Sequence, residues 1–409
     1  MKRLPPPSVP LWQNRDYLLL WSGQVVSALG SQVSQLALPL LLLALTHSPA
    51  QAGVAGALRA TPYLIFSLPA GALIDRWDRK RVMIVCDTGR ALSLVSLAIA
   101  LWLGRLTLVQ IYLVSLIEGT LYVFFNLAEA ACLPRVVSKE QLPAATAQNL
   151  ATFNISTLLG GPLGGTLYSV SQVLPFVADA ASYVLSVLSL LRINTSFQEE
   201  RAPTARKLWR EIKDGLLWLW GHQLIRSMAL LTGGLNLLMG GYSLLAIVLL
   251  QHLHASPLTI GLVFAAVGMG GIVGTVIAPS IQRRFSFGQV IIATCWGVSL
   301  LWPLYTVSPT VVSVGVISTL IFLAFPLYDT VQFSYRSAII PDALQGRVNS
   351  VFRLLAFAGQ PLGLALTGVF LQTLTIFPTI LVFAGGFWLL ALAATLNVHI
   401  RQAHPSHEK

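Results

Sequence analysis

A small number of ionisable side chains fall inside long apolar stretches of this sequence. Glu118 lies eleven residues into the stretch 107–133, a depth of about 16 Å along a helix at 1.5 Å per residue. Arg59 lies at a similar depth in the stretch 50–74 and is a candidate partner for Glu118. Burial disfavours an ionised glutamate and a nearby arginine favours it. The pair is therefore either a proton switch or a permanent ion pair, and we favour the switch.

Further charged residues in apolar stretches extend this set. Asp179 and Asp329 are additional candidates for proton exchange, because an ionisable group inside a bilayer is expensive and is functional by default. For Asp179, a role in helix packing is the favoured alternative. Asp87 and Arg90 are one helical turn apart, which favours a local ion pair.

Transmembrane helices are the elements that must position these residues. Of the 409 residues, 55% are hydrophobic and 10% are charged, and the mean hydropathy of +0.73 lies outside the range of soluble proteins. A helix needs about twenty apolar residues to cross a bilayer. Twelve stretches qualify: 17–45, 50–74, 82–104, 107–133, 145–170, 173–191, 226–251, 257–281, 287–306, 309–333, 350–373 and 377–400. Continuous apolar runs favour helices over a β-barrel.

The basic residues predict the orientation of these helices. When loops are assigned alternately to the two faces, 21 of the 26 Lys and Arg residues fall on the side of the termini. By the positive-inside rule both termini are cytoplasmic, in a multi-pass protein of the cell (inner) membrane. The net charge of +11 thus reflects topology, and no nucleic acid partner is expected. The first sixteen residues lack the apolar core of a signal peptide, so we expect none to be removed.

The chain divides into two similar halves. One long hydrophilic stretch, Arg192 to Asp214, separates six predicted spans from six. We assign residues 1–191 to an N-terminal six-helix bundle, 192–225 to a cytoplasmic linker, and 226–409 to a C-terminal six-helix bundle with a short tail. The linker ends in an amphipathic helix, which either lies on the membrane surface or is a solvated connector. The similarity between "GGPLGG" (160–165) in the first half and "GQPLG" (359–363) in the second supports an internal repeat.

Polar side chains recur at helical spacing on four of the spans. A polar stripe in a membrane span should face protein or a water-filled cavity, and aromatic groups beside sparse polar groups suit a bulky amphipathic ligand. The candidate cavity residues are Gln24, Ser27, Ser31, Gln35, Tyr122, Asn126, Asn236, Ser243, Phe322 and Phe325.

The sequence resembles the transporters of the major facilitator superfamily. The charged loop "GALIDRWDRKR" (Gly71–Arg81) resembles the loop between the second and third spans of that superfamily. Four further segments resemble its multidrug, macrolide and siderophore exporters: "NRDYLLLWSGQVVSALGSQV" (14–33), "RATP" (59–62), "DGLLWLWGHQLIRSMALL" (214–231) and "GRVNSVFRLL" (346–355). The resemblance covers nearly the whole chain. It implies an all-α fold of two pseudo-symmetric six-helix bundles, with spans one, four, seven and ten around a central cavity.

A glycine motif in the fifth span departs from the pattern of drug/proton antiporters. Those proteins carry Gly-Pro-x-x-Gly-Gly there, whereas this chain has Gly160, Gly161, Pro162, Gly164 and Gly165, with the proline one place late. The displaced proline weakens the implication of antiport. The same glycines have a packing role available, because small residues four apart let helices approach closely.

The charged loop and one pair of buried charges predict contacts at the cytoplasmic face. Asp75 could meet a cation or a helix N-terminus of the other half, and Arg353 is its candidate partner. This latch would also involve Gly71, Arg76 and Arg79, although the same charges could serve topology alone. A gate is predicted between Glu129 and Arg336, each of which precedes a proline by five residues.

The sequence therefore predicts a proton-coupled exporter of amphipathic small molecules, of the drug, macrolide or siderophore type, that works by alternating access. Two alternatives share the fold: a lipid or lysolipid flippase, and a facilitator or importer of a metabolite. We expect no enzymatic activity, because no nucleophile–base pair or metal-ligand set is present; His252 and His254 alone do not make a metal site. We expect no cofactor, membrane lipid and protons as partners, and a monomer.

Overall fold

The computed structural model describes residues 10–74, 76–195, 197 and 208–403. Fifteen α-helices occur in these residues, together with short 3-10 turns. They are α1 Arg15–Thr46, α2 Pro49–Ile74, α3 Arg79–Trp102, α4 Leu108–Val136, α5 Leu142–Val170, α6 Leu174–Leu191, α7 Leu208–Gly221, α8 Gln223–Gly240, α9 Tyr242–His252, α10 Pro257–Arg284, α11 Phe287–Leu301, α12 Val311–Ile339, α13 Gln345–Thr373, α14 Ile376–Leu396 and α15 Val398–Arg401.

The helices account for the twelve expected spans. Ten segments in the described part of the chain are long and apolar enough to cross a membrane. The helices α2 and α5, with 26 and 29 residues, are long enough for the remaining two. The fold class predicted from the sequence, an all-α polytopic membrane protein, is confirmed.

Side-chain caps explain where several helices begin. Asp78 accepts a hydrogen bond from the backbone N–H of Arg81 at 3.1 Å, and so caps the start of α3. Ser286 and Gln289 form a capping box at α11. Such caps satisfy the free N–H groups of a first helical turn. Part of the charged loop is therefore a helix start signal.

The seventh predicted span is broken into two helices. The helix α8 ends at Gly240 and α9 begins at Tyr242. A Cβ atom on Gly241, between them, would lie 2.8 Å from the Cγ2 atom of Thr367 on α13. No side chain fits at that approach, so glycine is required where the two helices meet.

The helices cluster into two compact units. Unit 1 comprises residues 1–37 and 61–204, and unit 2 comprises residues 38–60 and 205–409. The helices α1 and α2 thus each contribute to both units. Within unit 1, α3 packs against α4 and α6; within unit 2, α11 packs against α12 and α14. The same neighbour pattern occurs in both units, as expected for a repeated six-helix design.

Glycines mediate close helix crossings inside each unit. In unit 1, Gly160 and Gly164 of α5 lie against α1, where a Cβ atom on Gly164 would sit 3.0 Å from the carbonyl oxygen of Val33. In unit 2, Gly359 and Gly363 of α13 lie against Leu237 of α8. The buried glycines Gly161 and Gly165 belong to the same helix as Gly160.

The linker helix α7 packs on α13 within unit 2. A Cβ atom on Gly215 would lie 2.8 Å from the carbonyl oxygen of Arg347, and Asp214 pairs with the Arg347 side chain at 3.3 Å. Leu217 and Trp220 on α7 are exposed. The side chains of Leu208 and Trp209, at the start of α7, lie outside the described part of the structure.

We expect the Asp214–Arg347 ion pair to add little stability. Both side chains are about two-fifths exposed, and ion pairs of that kind contribute about 0–1 kcal/mol. Asp214→Asn should therefore shift the thermal midpoint of the purified protein only slightly, whereas Gly215→Leu, which forces α7 away from the backbone of α13, should lower it clearly. Equal shifts for the two variants would mean that the charge, and not the close approach, attaches α7.

Candidate functional site

Glu118 of α4 lies in a buried polar network of unit 1. Its Oε2 atom is 3.3 Å from Nε of Arg90 on α3 and accepts a hydrogen bond from the Tyr183 hydroxyl at 3.4 Å. Its Oε1 atom accepts from the Ser93 hydroxyl at 3.1 Å. Glu118 is only 5% exposed. Its carboxylate thus faces Arg90 and two hydroxyl groups, each of which has a second, shorter hydrogen-bond contact: Ser93 with the Arg90 carbonyl oxygen at 2.8 Å and Tyr183 with the Ser31 hydroxyl at 2.9 Å.

Arg90 is the centre of this network. Its side chain is 2% exposed, and its Nη2 atom donates to the Ser31 hydroxyl of α1 at 3.2 Å. The guanidinium carbon lies 4.1 Å from the centre of the Tyr183 ring and 5.6 Å from that of Tyr122, within the range of a cation–π contact. Ser31 and Tyr183 also share a hydrogen bond of 2.9 Å. Arg90 therefore joins α1, α3, α4 and α6.

Asp87 is a second carboxylate of the same network. Its Oδ1 atom is 3.7 Å from Nη1 of Arg90, one turn along α3, and its side chain is completely buried. The expected local pair of these two residues is present. Neither oxygen of Asp87 makes a hydrogen bond with the described part of the chain. The two carboxylates that contact Arg90 thus differ sharply in their surroundings.

Asp179 of α6 lies where α1 and α6 approach closely. It is fully buried and accepts a hydrogen bond from Ser182 at 3.3 Å. A Cβ atom on Gly30 of α1 would sit 2.6 Å from its Oδ1 atom. This placement favours the packing role for Asp179, while its part in proton exchange stays a prediction.

The predicted pair of Arg59 with Glu118 is wrong, because the cation against Glu118 is Arg90. The helices α3 and α4 are neighbours in unit 1, and each presents one long charged side chain to the buried face that they share. Arg59 is on the part of α2 that belongs to unit 2. Sequence depth alone identified the carboxylate but not its partner.

A second buried network in unit 2 surrounds Arg336. Its Nη1 atom donates to Oε1 of Gln332 at 3.3 Å, and its guanidinium carbon lies 4.0 Å from the centre of the Phe352 ring. Gln332 donates to the Thr232 hydroxyl at 2.7 Å, which is bonded to the Tyr328 hydroxyl at 2.8 Å. Arg336 is 5% exposed. The predicted gate with the partly buried Glu129 stays a prediction.

The candidate cavity residues fall into two groups. Gln35, Tyr122 and Asn126 are exposed. The others are partly or fully buried, and several already have partners. Asn236 donates to the carbonyl oxygen of Ala356 at 2.9 Å, and Ser31 belongs to the Arg90 network. The remaining ones are Gln24, Ser27, Ser243, Phe322 and Phe325. The rings of the last two are neighbours, with centres 5.8 Å apart and planes tilted by 47°.

Of the predicted latch, Asp75 lies outside the described residues. Arg76 and Arg353 are exposed, and Gly71 lies in the last turn of α2. Arg79 has a structural role within unit 1: its Nη1 atom donates to the carbonyl oxygens of Ala131 and Phe197 at 2.9 and 3.4 Å. The latch itself stays a prediction. Asp329 of unit 2 is also exposed.

The sequence profile of the Major Facilitator Superfamily matches residues 20–364. The chain belongs to this superfamily. It is therefore a multi-pass membrane transporter of small molecules, as the resemblance of its motifs implied.

Curated relatives and solved structures agree with this assignment. The enterobactin exporter EntS of Escherichia coli K12 is 24% identical over 377 residues, which cover 90% of this chain and 89% of that protein. EntS of Citrobacter koseri is 25% identical over 334 residues, covering 81% of this chain and 79% of that protein. The nucleoside transporter NupG has the same fold, with a TM-score of 0.74 at 16% identity over 94% of this chain and 98% of that one.

The Arg90 network of this superfamily member was only partly visible in the sequence. Asp87 and Arg90 were recognised as a local pair, but the contacts of Arg90 with Glu118, Tyr183 and Ser31 were missed. The predicted stretch 82–104 underestimated the depth of Arg90, which lies eleven residues after the first residue of α3, about 16 Å along the helix. That depth matches the depth of Glu118 in α4, which runs in the opposite direction.

Proposed function

We propose that this transporter exports amphipathic small molecules, of the siderophore or drug type, in exchange for protons and by alternating access. The observation that carries the coupling is the buried network in which Arg90 contacts two carboxylates, Glu118 and Asp87. Buried charges inside a membrane protein are expensive and mark proton relays and ion pathways. Relatives named as enterobactin exporters support export.

The direction and membrane placement belong to the same proposal. The transporter resides in the cell membrane with both termini in the cytoplasm, because its basic residues concentrate on that side. It acts as a monomer made of two six-helix bundles, residues 1–191 and 226–409, with the linker 192–225 between them. Polar side chains of unit 1 such as Gln35 and Asn126 contact the substrate.

Transport in liposomes with an imposed pH gradient tests this proposal. Wild-type protein should accumulate one or more members of a panel of dyes, macrolides and siderophores when a gradient is present. Glu118→Gln should reduce accumulation to the level of protein-free liposomes, because Arg90 is then balanced by Asp87 alone and no proton is left to exchange. Glu140→Gln is the matched control, since it makes the same change at an exposed position in the loop after α4.

The other outcomes identify other functions. If the rate of substrate movement is unchanged by the pH gradient and by Glu118→Gln, the result would contradict proton coupling and indicate a facilitator. Transfer of fluorescent lipid between leaflets, without movement of the soluble panel, would indicate a flippase. If substrate moves only in the same direction as the protons, the protein is an importer, and this result would contradict export.

A further inference from the structure

Two carboxylates share one arginine in the core of unit 1. The side chains of Asp87, Arg90 and Glu118 are between 0% and 6% exposed, and both acids lie within 4 Å of the guanidinium group. If both acids were ionised, the three side chains would carry a net charge of −1. An uncompensated charge in such surroundings is costly, and a buried group neutralises itself instead. Neutrality of these three side chains requires that one of the two carboxyl groups be protonated.

Hydrogen bonds decide which of the two carboxyl groups carries it. Glu118 accepts a bond from Arg90 and lies within reach of the Ser93 and Tyr183 hydroxyls, which also have the Arg90 carbonyl oxygen and the Ser31 hydroxyl as partners. Hydrogen bonds to a carboxylate favour its charged form. Asp87 accepts none from the described residues, and Nη1 of Arg90, at 3.7 Å, lies beyond hydrogen-bond distance. Ionised Glu118 is well solvated by the protein, whereas ionised Asp87 is not.

The acids around Asp87 disfavour its ionised form, whereas Arg90 and the Ser186 hydroxyl favour it. On α4, both Glu118 and Glu129 bear on it electrostatically. On α3, its neighbour Cys86 is a buried thiol. On α6, the buried Ser186 hydroxyl lies beside it without a completed hydrogen bond in this geometry. Among the groups that the structure describes around Asp87, Arg90 is the cation, and Arg90 already forms an ion pair with Glu118.

We propose that Asp87 is the carboxyl group that takes up and releases the transported proton, and that Glu118 is the permanent counter-ion of Arg90. The proposal rests on the proposed function for the link to transport, but the protonation of Asp87 can be measured without transport. Release converts the carboxylic acid of Asp87 to a carboxylate and delivers the proton to water. Arg90 then faces two negative charges, which favours a rearrangement of α3 against α4 and α6.

Infrared spectroscopy of the purified protein in lipid tests this assignment. A protonated buried carboxyl group gives a separate C=O band, and this band should disappear as the pH is raised. In protein grown with aspartate carrying 13C in its side-chain carboxyl group, the band should move to lower frequency, because the proton is on an aspartate. The band should be absent from Asp87→Asn and should remain in Asp179→Asn and Asp329→Asn.

Each other result overturns the assignment. A band that does not respond to labelled aspartate would place the proton on a glutamate such as Glu118. A band that responds to the label but survives in Asp87→Asn would place it on another aspartate. Absence of any pH-dependent band in unsubstituted protein would mean that no carboxyl group of the network is protonated. A band assigned to Asp87 in a protein without gradient-driven transport would leave the protonation of Asp87 standing and contradict the proposed function, and with it the link of that proton to transport.

Discussion

Arg90→Ala should be among the most destabilising single substitutions in this protein. It removes the cation that faces both Asp87 and Glu118 and leaves two carboxyl groups buried without compensation. Breaking a buried ion pair from one side costs about 3–5 kcal/mol. The loss of the stacked Tyr183 contact adds to that cost. We expect a large fall in the thermal unfolding midpoint of purified protein and a small yield of monodisperse material.

A second substitution separates charge from packing in this prediction. Arg90→Gln combined with Glu118→Gln removes one charge of each sign and should recover part of the stability lost in Arg90→Gln alone. The non-additivity of such a double-mutant cycle measures the coupling between the two side chains. Arg283→Ala, at the exposed end of α10, is the control for loss of an arginine. If the double variant is as unstable as the sum of the two single variants, the ion pair is not the reason.

Gly363→Ala should also lower stability strongly. Gly363 is on α13, where a Cβ atom would overlap the carbonyl oxygen of Leu237 and lie 2.9 Å from its carbonyl carbon. Both partners are backbone atoms, so no side-chain rotation relieves the clash and α8 must move away from α13. Overpacking of this kind costs about 1–3 kcal/mol or more. We expect a lower thermal midpoint and reduced transport, since the two helices belong to the same unit.

Gly385→Ala is the matched control for that substitution. Gly385 is also a helical glycine, on α14, but a Cβ atom there would meet nothing within 4 Å. Alanine is favoured over glycine in a helix, so this variant should be as stable as the original protein or slightly more stable. Equal losses for both variants would show that helix propensity or insertion, and not the α8–α13 contact, dominates the measurement.

The sequence predicted the fold well because membrane helices obey strong local rules. Twelve apolar stretches and the basic loops required no knowledge of tertiary contacts. The break at Gly241 was not predicted, since it depends on the approach of Thr367 from another helix. The glycine motif around Gly160 was correctly associated with close helix packing as one of its possible roles. The spacing of the glycines alone could not decide between a role in helix packing and a role in antiport.

The candidate site was harder to predict than the fold. The depth of Glu118 could be counted along its helix, but its neighbours depend on how α3, α4 and α6 are rotated about their axes. Periodicity does not fix those rotations, and Arg59 was therefore chosen in place of Arg90. Ser93 and Tyr183 gave no signal, because a serine or tyrosine in an apolar helix is common. Their importance comes from the acid that they contact.

The hydrogen bonds of the charged loop limit which substitutions its basic residues can accept. A topology signal counts positive charges and treats arginine and lysine alike. Arg79, however, donates from one nitrogen toward the carbonyl oxygens of Ala131 and Phe197, and Lys80 donates to the carbonyl oxygen of Ile193 at 2.7 Å. A planar guanidinium group and a flexible ammonium group do not fill each other's positions equally. Exchange of Arg79 and Lys80 would therefore keep the charge of the loop but lose its hydrogen bonds to α4 and to the chain after α6. The loop can keep its topology signal with either basic residue at each position, but its hydrogen bonds require arginine at 79 and lysine at 80.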